Sequence, residues 1–349
     1  MVSEIPLLAQ TMYAELTERA HLGRLQSDFD PGGTFLKKER RGRAYWYFRS
    51  PMSKGTRTDS YIGPDSPELR ARIARHSVEK NSYQQRRSLV SGLLHSGLRG
   101  PDARTGRILG ALEKAGVFRM RGVVVGTVAY QTYAGLLGMK LSAANMLTQD
   151  LDLAQFKTVS IAVEDKLDMP LLDVLRTVEP TTEPVVEAFD AEATWRYAVG
   201  DKYRVEVLTP NRGADGDSPV QLPALQTDAK PLRYLDFLIY REVQAVVLYG
   251  AGVAVNVPAP ERYCLHKLIV SRRRAASPES QAKARKDRQQ TSELIVALAE
   301  QRPYELRDVW GELQGRGPRW RQLVAEALTT LEQNVRDRLE QVVGPVGQR

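Results

Sequence analysis

At 349 residues, with 42% hydrophobic and 26% charged side chains, the chain has room for two domains or one elaborated domain and the composition of a globular protein. Its net charge of +8 and sequence pI near 9.5 favour an anionic partner such as a nucleotide or nucleic acid, although a basic surface without such a partner has the same charge. A single cysteine, Cys264, excludes an internal disulfide and a multi-cysteine zinc site. No apolar run approaches the roughly 20 residues that span a bilayer, so a cytoplasmic protein without membrane contact is expected.

In chain order, MVSEIPLLAQTMYAELTERA carries acidic residues and no basic leader, which argues against a secretion signal. Leu7, Leu8, Met12 and Leu16 recur at helical steps and predict an amphipathic helix reaching about residue 28. After the turn cluster Asp30-Pro31-Gly32-Gly33, aromatic and basic residues interleave around two hairpin-like turns. A three-stranded meander over about 30–65 is expected. Lys37, Lys38, Arg41, Arg43 and Trp46 are candidates to hold a nucleic-acid backbone and stack its bases. The same pattern also fits a small sheet whose aromatics are merely its core. A charged helical stretch follows, broken at 97–102 and resumed over 103–116. Residues 1–117 thus form an N-terminal helical region containing the basic meander.

From Arg121 the sequence runs RGVVVGTVAYQTYAGLLGMKLSAANMLTQDLDLA. Val123–Val125 reads as a strand, Gly126-Thr127 as a turn, and Tyr130, Tyr133 and Leu137 as one helix face. Asp150 and Asp152 alternate with Leu151 and Leu153, so a strand here sets two carboxylates side by side on one face. Residues 157–163 are β-rich and read as another strand. A short helix is expected from Leu171 to Val178, and a hairpin around Gly200-Asp201 carries Glu206 on its more polar face. Residues 210–230 read as a loop or partly ordered insertion, and two β segments follow at 245–249 and 253–257. Pro260 opens a helix bearing Lys267. The basic run Arg272-Arg273-Arg274 comes next, then a long helix with Lys286-Asp287 and two more amphipathic helices.

Paired carboxylates repel unless a cation lies between them, and oxygen-only ligands suit Mg²⁺ or Mn²⁺. A strand, a glycine turn opening a helix, Asp-x-Asp and a third acid on a later strand is a pattern that two-metal phosphoryl transfer requires. The glycine lets backbone N–H groups approach phosphate oxygens at a helix N-terminus. Each part alone is common: Asp-x-Asp arises by chance and Gly-Thr often serves only as a cap. The four histidines are scattered, Cys264 reads as core, and no Walker or Rossmann glycine pattern is present.

Gly126-Thr127, Asp150-x-Asp152 and Glu206 together resemble the polymerase-β-type nucleotidyltransferase superfamily. TQDLDLA, YRVEVLTP and PAPERYCLHKLIVSRRR with KARKD look like a bacterial subfamily of uncharacterised nucleotidyltransferases. The last phrase is similar to abortive-infection nucleotidyltransferase toxins. The resemblance implies an α+β fold: a small mixed β-sheet core at 118–258 flanked by helices, with an N-terminal helix plus β-meander module and a C-terminal helical region at 259–349. It implies Asp150, Asp152 and Glu206 as catalytic metal ligands for Mg²⁺ or Mn²⁺. Gly126, Thr127, Lys267, Lys286 and Asp287 become the nucleotide site. Independently of the resemblance, Arg272, Arg273 and Arg274 at a helix end are candidates to grip the phosphates of a nucleic-acid acceptor, and a solvated C-terminal cap accounts for them equally well. The turn reads Val-Gly-Thr where the superfamily more often has Gly-Gly-Ser or Gly-Ser, and the third acid is Glu where Asp is commoner. The expected activity moves a nucleotidyl group from an NTP to an acceptor hydroxyl, with RNA or tRNA as acceptor, a toxin-like role and an antitoxin partner. The alternatives are a nucleic-acid binder with an inactive fold, and an enzyme that nucleotidylates a protein acceptor.

Overall fold

The computed structural model describes residues 2–23, 29–52, 55–146, 148–163, 165–185, 194–211, 218–273 and 278–345. Strand β1 (Ser3–Glu4) leads into helix α1 (Leu7–Gly23), and the meander follows as β2 (Thr34–Arg40), β3 (Arg43–Arg49) and β4 (Asp59–Pro64). Helix α2 (Pro67–His95) starts where the Ser66 hydroxyl accepts the Leu69 N–H, and α3 (Ala103–Ala115) starts on the Asp102 carboxylate. Gly116, at φ 92°, ends α3 in the left-handed conformation.

The central region comprises β5 (Val123–Val125), α4 (Gly126–Leu137), β6 (Met139–Lys140), β7 (Asp150–Ala154), α5 (Lys157–Ala162), α6 (Leu171–Arg176), β8 (Glu183–Pro184), β9 (Arg196–Val199) and β10 (Tyr203–Asn211). It continues through β11 (Val220–Leu222), β12 (Thr227–Arg233), α7 (Leu235–Ile239), β13 (Val243–Val247) and β14 (Val253–Val257). Helices α8 (Pro260–Arg273), α9 (Pro278–Gln301), α10 (Pro303–Gly315), α11 (Pro318–Leu328) and α12 (Gln333–Val343) finish the chain. Four of these last helices open on proline, whose fixed φ suits the first turn and whose missing N–H is not needed there.

The fold is α+β around a mixed sheet ordered β11-β12-β10-β7-β5, with β9 on the lower half of β10 and β8 beyond it. Strand β10 runs parallel to β7 and β12, while β5 and β9 are antiparallel to their neighbours. A single apolar core extends from Leu16 of α1 through Val124, Leu151 and Val205 of the sheet to Leu339 of α12. Among the described residues no helix is long and apolar enough to cross a membrane.

Three local expectations are corrected. Residues 157–162 are helical despite Val159 and Ile161, because strand propensity depends on context. The sheet ladder ends when the Gln155 N–H reaches the Leu208 carbonyl, and the buried Ser160 hydroxyl then receives the Ala224 N–H at 3.0 Å. Of the stretch 210–230 expected as a loop, 212–217 lie outside the described residues, and the remainder supplies the end of β10, then β11 and the start of β12. In α1 the buried stripe is Ala9, Tyr13, Leu16 and Ala20, while Leu7 and Leu8 are exposed. Tyr13 sets this rotation: its hydroxyl donates to the Val246 carbonyl at 2.9 Å, and its ring packs closely against Gly135 of α4.

A Cβ at Gly135 would lie 2.4 Å from two Tyr13 ring carbons, whereas one at Gly110 meets nothing within 4 Å. Gly135→Ala is therefore expected to cost about 2 kcal/mol of stability through overpacking. Gly110→Ala is expected to leave stability unchanged or slightly raised. Urea unfolding of both variants checks the contrast.

Candidate nucleotide-binding and acidic site

The strand alternation expected around Asp150 and Asp152 is present: Leu151 and Leu153 are fully buried, while the two aspartates are half-buried on the opposite face. Asp152 is held from both sides. It pairs with Val125 of β5 in antiparallel register and with Glu206 of β10 in parallel register, so its neighbour across the sheet is another carboxylate. Asp150 pairs in the same way with Arg204, and the Thr148 hydroxyl donates to the Asp150 carboxylate.

Gly126 follows Val125 at the point where β5 becomes α4. It has φ 65°, and a Cβ there would collide with Asp152 Oδ2. Glycine is thus needed twice at one position, for the left-handed backbone and for the close approach of the carboxylate. Val125 supplies no side-chain cap to α4, so no side chain from that residue covers the first-turn N–H groups beside Gly126 and Thr127. The Gly126 carbonyl accepts the Tyr263 hydroxyl at 3.0 Å, which fixes the turn to α8.

Lys267 lies one turn after Tyr263. Its ammonium donates to Asp287 Oδ1 of α9 at 2.7 Å, with both side chains almost wholly buried. Burial, then the charges of Asp150 and Glu206, push the Asp152 carboxyl up to about 7, while Lys267 and Lys283 act in the opposite direction. Burial and the charge of Lys267 hold the Lys286 ammonium below its ordinary value, with Asp150 and Asp287 opposing. Lysines from α8 and α9 thus share one electrostatic site with the acids of β7 and β10.

Glu206 is more constrained than the sequence indicates. Its Oε1 accepts from Arg196 Nε at 2.9 Å, and that guanidinium lies 4.3 Å over the Trp195 ring. Among the described residues no three His, Cys, Asp or Glu side chains form a ready metal cage. The oxygen-only donors of the Asp150–Asp152 pair nevertheless suit a hard divalent cation, and the raised Asp152 carboxyl marks the charge such a cation would balance.

The structure therefore gathers Gly126, Thr127, Asp150, Asp152, Glu206, Lys267, Lys286 and Asp287 around one end of the sheet. Sequence reasoning missed three contributors. Lys283 lies three residues before Lys286 on the same helix, a spacing that shares a face. Arg196 is the cross-strand partner of Glu206, which the hairpin register around Gly200-Asp201 encodes. Tyr263 is one helical turn before Lys267.

The remaining candidates lie elsewhere. Arg272 and Arg273 are exposed in the last turn of α8, one 3.8 Å from Glu326 and the other over the Tyr234 ring. Arg274 lies outside the described residues. Lys37, Lys38, Arg41 and Arg43 are exposed on the meander, and Trp46 donates its indole N–H to Asp65 Oδ1 at 2.8 Å.

A family model described as nucleotidyltransferase matches residues 103–315, a span from α3 through α10 that includes the whole acid and lysine cluster. Among solved structures, the chain is similar to an antigenic nucleotidyltransferase-like protein from Paracoccidioides brasiliensis. Identity is 13%, coverage is 67% of this chain and 96% of that one, and the TM-score is 0.30. No curated protein matches.

The Asp152 carboxyl titrates near 7 in the folded chain and near 4 when unfolded. Its contribution to stability is fully present below pH 4 and is lost as pH rises through 7. In metal-free buffer, the Tm advantage of Asp152→Asn over wild type should grow between pH 4 and 7 and then level off. Thermal unfolding in chelator across that range checks this. An advantage independent of pH would contradict the crowding of Asp152.

Proposed function

This chain belongs to the nucleotidyltransferase family, and on that premise we propose that it moves a nucleotidyl group from an NTP to an acceptor hydroxyl. The observation that carries this reading is the lodging of Asp152 between the Gly126 backbone and Glu206. A glycine whose missing Cβ is filled by a carboxylate sets the acidic cluster directly against the first turn of α4.

In this reading the first-turn N–H groups at Gly126 and Thr127 receive triphosphate oxygens at the helix N-terminus. Lys267, Lys283 and Lys286 share the electrostatic field of the acids, and in this reading their charge meets the triphosphate. The acceptor oxygen forms a bond to the α-phosphorus as the bond to the β-phosphate bridging oxygen breaks, and pyrophosphate leaves. The acceptor proton passes to a carboxylate, for which Glu206, farther from the glycine turn, is suited. Asp150 and Asp152, with the longer arm of Glu206, would hold Mg²⁺ or Mn²⁺, which supplies neutralisation of phosphate charge. Arg196 holds Glu206 in place until substrate arrives.

The basic balance of the chain supports RNA, including tRNA, as the acceptor. A toxin-like role with an antitoxin, and residence in the cytoplasm where NTP and RNA meet, belong to this reading. The Arg196–Glu206 pair favours a second one, in which Glu206 stays neutralised and the fold binds nucleic acid without turnover.

Labelled NTP, Mg²⁺ and total cellular RNA distinguish these outcomes. Wild type is expected to place label in RNA, and Asp150→Asn combined with Asp152→Asn to reduce it to background with the fold intact by circular dichroism. Label in protein instead identifies protein nucleotidylation. Equal labelling by the double variant would overturn the carboxylate mechanism, and RNA binding without label supports the inactive-fold reading.

A further inference from the structure

We infer that the outer face of the β2–β3–β4 sheet seats single-stranded RNA, with bases stacked on Tyr45, Tyr47 and Tyr61. The inference deepens the acceptor assignment above and rests on that reading for its biological role.

The meander sorts its aromatics by face. Phe35 pairs with Phe48 across β2 and β3, and with Phe29 these rings surround the buried His76 of α2 at centroid distances of 5.2–6.1 Å. Trp46 shares that inner face and is fixed by Asp65. Alternation then turns Tyr45 and Tyr47 outward, beside Tyr61 of β4. Their rings approach Tyr61 at 6.2 and 5.5 Å, and Tyr61 is 56% exposed. Phenylalanine fills the inside and tyrosine lies outside, where Tyr61 is exposed and Tyr45 and Tyr47 are half-buried beside it.

Charge identifies the occupant. Residues 34–64 hold eight Lys or Arg and two Asp or Glu, and so carry six of the eight net positive charges of the whole chain. Asp59 fixes Arg49 at 2.7 Å and Lys38 at 3.2 Å, and Lys38 in turn lies 4.4 Å over the Tyr47 ring. At the other end of the face Arg40, Arg41 and Arg43 are exposed and form no ion pair among the described residues. A row of stacking rings ending in unpaired arginines fits a strand with accessible bases and a phosphate backbone. A duplex hides its base faces, and an acidic protein has none to stack.

The test is fluorescence anisotropy of a labelled single-stranded oligoribonucleotide with the full chain at rising salt. Tyr61→Ser is expected to weaken binding about tenfold, and Tyr61→Phe, which keeps the ring, to retain most of it. Arg41→Gln with Arg43→Gln should lower the slope of log affinity against log salt by about 1.4. The Asp150→Asn, Asp152→Asn variant should bind as wild type does, which separates this seat from catalysis. Circular dichroism of each variant guards against misfolding. Several results would overturn the inference: no binding, binding indifferent to Tyr61→Ser, equal or tighter binding of duplex RNA or single-stranded DNA, or displacement by polyglutamate at equal charge.

Discussion

The confinement of one carboxylate sets the rest of the site. Asp152 has the backbone of Gly126 on one side and a second acid, Glu206, at its own level on the next strand. A side chain at 126 larger than hydrogen would drive the carboxylate out, and the left-handed φ would disfavour that side chain in any case. Strand β7 fixes the height of Asp152, with Leu151 and Leu153 anchored in the core on its other face. The acid therefore keeps its position while its charge is opposed by burial and by its neighbours.

Compensation for that charge comes from outside the sheet. Helix α8 is pinned to the glycine turn by the Tyr263 hydroxyl, which brings Lys267 to the site one turn later. The buried Lys267–Asp287 pair then ties α9 to α8, and the same turn of α9 carries Lys283 and Lys286. A buried pair of this kind contributes little net stability, because desolvation offsets its attraction, but it punishes misplacement. Its value lies in fixing where the lysines stand. The sheet gathers negative charge and the C-terminal helices bring positive charge, with the glycine turn between them.

Much of this was legible in the sequence because it rests on short-range rules. The alternation of Asp150 and Asp152 with leucines, the turn at Gly126 and the proline-opened helix at Pro260 each follow from a local period or a backbone constraint. What was not legible depends on partners distant in sequence. Residues 157–162, β-branched at Thr158, Val159 and Ile161, form a helix whose Ser160 hydroxyl accepts the N–H of Ala224, 64 positions away. Tyr13 rather than Leu7 and Leu8 chose the face of α1, through Gly135 and Val246. Arg196, which engages Glu206, is encoded in the hairpin register, which sets it directly opposite that acid. In the meander, composition identified the basic and aromatic character, but only the register shows which aromatics face solvent.

Isothermal calorimetry of a non-hydrolysable NTP, with and without Mg²⁺, tests the joint action of turn, acids and lysines most directly. Wild type is expected to bind the nucleotide with Mg²⁺ and far more weakly in chelator, and Asp152→Asn to lose the dependence on Mg²⁺. Absence of binding by wild type with Mg²⁺, or identical binding with and without the metal, would contradict the assignment of Asp152 and its glycine turn to a nucleotide site.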